Sequence, residues 1–323
     1  MTSPFSWATL SESAPPSAAV EISAHRVSAA AIEWRGGQPV VAAHAVEPLP
    51  EGAVVPSLTG RNVHDGDAAA DAVKRVLDGI GRPRRVGLVV PDVVAKISLV
   101  RFEHVPARPQ DLAQLVRWQV KKAAPFPIEE AQVSFVPGIR AADGQEFLVS
   151  AARRDVVQEY EDLCAAAGAH AGIVDLATLN VINAVLAGSP PAADWLLVNV
   201  ATDYASIALL RGPHVIFFRN RSAGTDGTLA DLVHQTTMYY QDRLEGTGLS
   251  RVLLAGGSAA AGHQAADVEQ LRRGLEMRLG ATVDPVDPRA AAALTDRISA
   301  APALLDTLAP LVGVLLRHRE AAA

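Results

Sequence analysis

The segment "VEISAHRVSAAAIEWRGGQPVVAA" (20–43) has a near-twin far along the chain, "VNVATDYASIALLRGPHVIFF" (198–218). Each reads as a strand, a short polar turn, a second strand, a tight turn at Arg-Gly, and a third apolar strand. A unit of this kind cannot bury its own apolar faces and needs helices laid against it. Two copies so far apart predict two related lobes, each built on a sheet that opens with antiparallel strands, and a cleft between them.

The segments between the copies supply the helices. "DGDAAADAVKRVLDGIG" (65–81) has helical periodicity and a closing Gly81. "RRVGLVVP" (84–91) reads as a buried strand and "KISLVRFEHVP" (96–106) as a second one. Pro109 and Asp111 suit a helix start, and Leu112, Leu115, Val116 and Val120 recur at helical spacing up to a stop at Pro125. "AQVSFV" (131–136) and "EFLVSAA" (146–152) flank an Asp143-Gly144 turn. Helices are expected over 155–169, 226–245, 264–279 and 302–319, with strands at 251–255 and 281–286. "GSPPAAD" (188–194) reads as a linker. Strands alternating with helices define an α/β chain. The duplicated plan is the architecture of the actin, Hsp70 and hexokinase group.

Composition narrows the function. With 323 residues, 49% of them hydrophobic, the chain has enough material for about two domains. A net charge of -6 gives no basic field for nucleic acid. Cys164 is the single cysteine, which excludes an internal disulfide and a cysteine-rich zinc site. The start "MTSPFSWATLSESAPPSAA" has no basic n-region and no apolar core, so no signal peptide is expected, and residues 1–18 read as a disordered tail. "GGSAA" falls one glycine short of a hydrolase nucleophile turn, and the histidines are scattered without metal-ligand spacing.

"RWQVKKAAPFPIEEAQVSFV" (117–136) is the most specific stretch. It resembles the segment of the PilM family, actin-like proteins of type IV pilus assembly, in which a Trp-bearing helix runs into Pro-Phe-Pro and a strand. "VGLVVPDVVAKISLVRFEHVP", "FLVSAARRDVVQEYEDLCAAAGAHAGIVDLATL", "VLLAGGSA" and "APLVGVLLR" also resemble family regions in order and spacing, so the likeness spans roughly 19–318. FtsA and the cytoplasmic part of GspL share the plan.

The resemblance implies an actin-like, ribonuclease H-like duplicated fold with a small α/β subdomain inserted in the first lobe. Mapped here, the first lobe would be 19–91, 151–190 and 302–323, the insert 92–150, and the second lobe 191–301. It also implies ATP with Mg²⁺ in the cleft, a place at the cytoplasmic face of the inner membrane, and capture of the N-terminal peptide of PilN in a groove between the insert and the first lobe. Pilus motor ATPases and self-association are further partners it suggests. Trp118, Lys121, Lys122, Phe126 and Pro127 are the residues expected to meet the peptide.

The nucleotide expectation meets a conflict. A phosphate turn needs glycine for close backbone approach, and Mg²⁺ needs carboxylates. The family pattern Asp-Ile-Gly stands here as Glu21-Ile22-Ser23, and Asp-x-Gly as Asn199-Val200-Ala201. Gly256, Gly257 and Ser258 keep the glycine turn of the nucleoside side. Asp203 is expected to point away. The reading is a degenerate cleft in a non-catalytic adaptor, with no cofactor expected. The alternatives are an ATP switch or ATPase dependent on Glu21, and an adaptor of a type II secretion or competence machine.

Overall fold

A computed structural model describes residues 16–223, 227–260 and 265–317. The expected tail therefore lies almost wholly outside the described residues, and Ala18 is already in the first strand. Strands β1 (Ala18–Ile22), β2 (Arg26–Arg35) and β3 (Gln38–Pro48) form an antiparallel meander. Helix α1 (Gly66–Gly79) leads to β4 (Arg85–Val90), which pairs in parallel with β1. Then come β5 (Ala95–Phe102), α2 (Pro109–Val120), β6 (Ala131–Ala141) and β7 (Gly144–Arg153). Helix α3 (Arg154–Ala166) returns the chain to β8 (His170–Leu176), parallel to β4, and α4 (Ala177–Gly188) follows.

The second copy runs β9 (Trp195–Val200), β10 (Tyr204–Arg211), β11 (His214–Ser222), α5 (Leu229–Arg243) and β12 (Arg251–Ala255). It continues through α6 (Gly257–Ala260), α7 (Ala265–Leu279), β13 (Asp284–Pro285), β14 (Ala293–Leu294) and α8 (Pro302–Leu316). The large sheets are ordered β14-β3-β2-β1-β4-β8 and β11-β10-β9-β12-β13. Leaving aside β14, the first five strands of each copy take the same positions. The three-stranded sheet β5-β7-β6 stands apart, between β4 and α3 in sequence.

Local chemistry explains the elements that frame the site. Asp65 caps α1 by accepting from Ala68 N–H at 3.0 Å, and Ala69, Ala72, Val73 and Val76 are buried at helical spacing. Gly81 turns the chain out at φ +94°. Helix α2 ends at Val120, a turn short of Pro125, because Ala124 and Phe126 each precede a proline and are steered out of the helical region. The expected strand at 281–286 shrinks to Asp284–Pro285, since proline donates nothing to a ladder. Helix α8 is apolar on every side because it is buried on every side, from Thr307 to Leu316. Gly313 meets the backbone of Asn180 on α4 so closely that a Cβ would sit 1.7 Å from the Asn180 carbonyl oxygen. Among the described residues, no helix is long and apolar enough to cross a membrane.

Candidate functional site

The turns of the two repeats face each other across a cleft. Ser23 N–H donates to the Arg26 carbonyl at 3.0 Å, and Ala201 N–H donates to the Tyr204 carbonyl at 2.8 Å. Ser23 Oγ donates to the same Arg26 carbonyl at 2.9 Å. Glu21, Ser23, Asn199, Ala201 and Gly256 all line the cleft, whose volume is about 50 Å³. Ligand pockets run to roughly 300–1,000 Å³. Gly257 and Ser258 begin α6 beside it, and Ser258 N–H donates to Asp306 Oδ2 at 2.7 Å. Asp203, expected to point away, lines the cleft instead.

Beneath the cleft lies a buried network centred on Asp92. Asp92, 1% exposed, follows β4 and Pro91. Its Oδ1 accepts from Thr178 N–H at 2.9 Å, and its Oδ2 accepts from the hydroxyls of Thr178 and, at 2.5 Å, Ser206. Asn199 Nδ2 donates to Thr178 Oγ1 at 2.9 Å, and Asn220 Nδ2 donates to Ser206 Oγ at 3.1 Å. Asp92 N–H reaches the Tyr204 hydroxyl at 3.3 Å. Every proton has a direction: Asn199 to Thr178 to Asp92, and Asn220 to Ser206 to Asp92.

Burial pushes the Asp92 carboxyl above its ordinary range, with the hydrogen bonds from Ser206 and Thr178 pulling back. Burial also raises Glu21, against the pull of Arg26, whose guanidinium stands 4.0 Å away. Asp203 is raised by burial as well. The turn amides at 23 and 201 are spent on their own turns, and the Ser258 amide in α6 is held by Asp306. Gly256, at φ +74°, packs against β9, where a Cβ would lie 2.1 Å from the Val200 carbonyl oxygen. Glu21, Asp203 and Asp306 line the cleft together with His25 and Arg26.

A second concavity, about 480 Å³, lies between the three-stranded sheet and α4. Ser134, Val136, Leu148 and Ser150 supply one wall, Leu179, Ile182, Asn183 and Leu186 the other, and His214 and Val215 of the second lobe also line it. Asp175 and Arg317, paired at 2.9 Å, complete it. Burial raises the Asp175 carboxyl and Arg317 opposes it. Strand β6 is the outer strand of its sheet.

The five residues expected to meet a peptide are elsewhere. None lines this groove. Phe126 is buried with Val116, Val120, Phe147 and Val149, and β7 alternation puts Val149 on the face opposite Leu148 and Ser150. Trp118 is 67% exposed on α2, Lys121 pairs with Glu129 at 2.9 Å, and Lys122 and Pro127 are exposed. Local oddity marked the Pro-Phe-Pro stretch, whereas the groove residues carry only the alternation of ordinary core positions.

Twin sheets of one strand order around a cleft define a two-lobed protein of the actin-like ATPase fold. The model of the family "Type IV pilus assembly protein PilM" matches residues 19–246, and the chain belongs to that family. It is similar to a solved structure of the PilM-PilN type IV pilus biogenesis complex, with a TM-score of 0.78 at 19% identity over 94% of this chain and 98% of that one. Weaker likenesses are to a Bacteroides thetaiotaomicron protein with an actin-like ATPase fold (TM-score 0.47, 10% identity, 83% of this chain and 89% of that one). Another is to the cytoplasmic domain of EpsL, an inner-membrane component of the type II secretion system of Vibrio cholerae (TM-score 0.45, 12% identity, 73% and 80%).

Proposed function

We propose that this pilus assembly protein is a non-catalytic adaptor that holds the N-terminal cytoplasmic peptide of PilN in the groove between the three-stranded sheet and α4. The observation that carries this reading is the groove itself: a largely apolar slot of about 480 Å³ whose one wall ends in the outer strand β6. An extended peptide gains main-chain bonds at such an edge and specificity from side-chain pockets. Leu148, Ile182 and Leu186 would receive apolar side chains, and the Arg317–Asp175 pair would discriminate polar ones. The solved PilM-PilN complex supports the choice of partner.

In this reading the protein works at the cytoplasmic face of the inner membrane, held there by PilN, and passes the connection to the pilus motor through its second lobe. The cleft is a structural joint. Its small volume and spent turn amides support the absence of ATP hydrolysis.

Calorimetric titration of the PilN N-terminal peptide tests the reading. Binding to the native chain, with at least tenfold loss in Leu148→Asp and in Ile182→Asp, is the expected result. Binding unchanged in both variants would place the peptide elsewhere.

A further inference from the structure

Clefts between two lobes are commonly closed by a ligand that touches both, with a hinge absorbing the motion. Here the groups that would meet such a ligand meet a side chain instead. Asp92 and Thr178 belong to the first lobe's side of the cleft, on the loop after β4 and the first turn of α4. Ser206, Asn199 and Asn220 belong to the second sheet, on β10, β9 and β11. One carboxylate therefore accepts from both sides at once, with 2.9 Å to the Thr178 amide and 2.5 Å to the Ser206 hydroxyl.

The same elements form the peptide groove. Thr178 is followed on α4 by Leu179, Ile182, Asn183 and Leu186, which line the groove wall. Asn220 is on β11, whose other end carries His214 and Val215 in the same groove. The position of the α4 wall relative to the second-lobe end of the groove is thus tied to one buried carboxyl. Removing the shared acceptor of these bonds leaves buried donors without partners.

We propose that Asp92 is an internal latch: it joins the lobes in place of a bridging ligand and, through Thr178, positions α4 as a wall of the groove. Asp92 is a positioning residue, since it touches no part of the groove itself. The groove half of this inference rests on the function proposed above; the latch half does not.

Hydrogen exchange on the full chain without any peptide tests the latch. The variants are Asp92→Ala and Ser206→Ala, the second removing the far-lobe hydroxyl that reaches the Asp92 carboxyl while leaving the Asn199–Thr178 and Tyr204–Asp92 contacts in place. In both, amide exchange should quicken by about tenfold in the first turn of α4 and across 204–207, while α1 and the three-stranded sheet keep their native rates. Ser206→Ala is decisive, because a role for Asp92 confined to its own lobe leaves α4 unmoved when Ser206 is trimmed. No change at α4 in that variant, or a uniform rise along the chain, overturns the latch. Should Asp92→Ala fail to fold, Ser206→Ala carries the test alone.

PilN-peptide affinity in Ser206→Ala reads the second half. About tenfold weaker binding, by a residue outside the groove, is the expected outcome. Unchanged affinity together with quickened α4 exchange would refute the positioning role. A native chain that binds no peptide would remove the groove reading, while the exchange data still decide the latch.

Discussion

Asn199 donates from Nδ2 to the Thr178 hydroxyl at 2.9 Å, joining the strand of one lobe to the helix of the other. An aspartate at 199 has no proton to give. Asn199→Asp should therefore destabilise the chain by about 2 kcal/mol, through a lost donor and a second carboxylate near Asp92. Urea unfolding measures this. A variant as stable as the native chain would show that Asn199 is not committed to the lobe junction.

Phe126 and the groove residues should separate cleanly. Phe126 packs in the core beneath α2, so Phe126→Ala should cost about 3–5 kcal/mol of stability. Peptide affinity at a temperature where it stays folded should hold. Lys121→Glu and Lys122→Glu should leave affinity within about twofold, since neither lines the groove. A tenfold loss in the lysine variants would move the peptide to the α2 face.

The pH dependence of stability has a definite sign. Glu21, Asp92, Asp175 and Asp203 all have carboxyl pKa values raised on folding, first by burial. The native state holds their protons more tightly than the unfolded chain does. Their contribution is fully present below the ordinary carboxylate value of about 4 and is lost as pH rises through the raised folded values. Asp155, Asp231 and Asp287 are lowered by their hydrogen-bonding partners, and Glu269 is held at about 2. Those four contribute above about pH 4 and lose it on acidification. Burial lowers the His44 imidazole, whose contribution is lost as pH falls through its ordinary value of about 6.5, so the comparison is made in His44→Gln, where the midpoint of thermal unfolding should hold or rise as pH falls from about 7 towards 5. A steady fall over that range would mean the buried carboxyls are not raised.

Gly313 should tolerate no side chain. Its added Cβ would lie 1.7 Å from the Asn180 carbonyl oxygen, against backbone that cannot swing aside. Gly313→Ala must push α8 from α4, at a cost of about 3 kcal/mol or more. Differential scanning calorimetry would detect this as a drop in the unfolding midpoint, and native-like stability would contradict the close helix crossing.

Much of the frame was legible because it is local. The twin hairpins announced two sheets, and the glycines at 256 and 257 fell beside the cleft as their turn demanded. The helix expected over 226–245 forms as α5, with Leu232, Val233 and Tyr240 buried. The latch was not readable, because the donors of Asp92 stand 86 and 114 residues away. Its one local trace is an acidic residue directly after the apolar strand and proline of "VGLVVPD". The groove was hidden for a different reason. Leu148, Ile182 and Leu186 have the periodicity of core residues, and only the third dimension shows that a slot remains between them. Trp118 and Phe126 drew notice by rarity, yet one is a surface ring and the other a plug.

The central claim is that peptide capture runs without a nucleotide in the cleft. The most direct measurement is calorimetric titration of the PilN peptide into the native chain, with and without millimolar MgATP, beside a titration of MgATP alone. The account predicts one peptide affinity under both conditions and no heat from MgATP. Micromolar MgATP binding, or a peptide affinity that shifts with it, would contradict the account and restore the cleft as a working nucleotide switch.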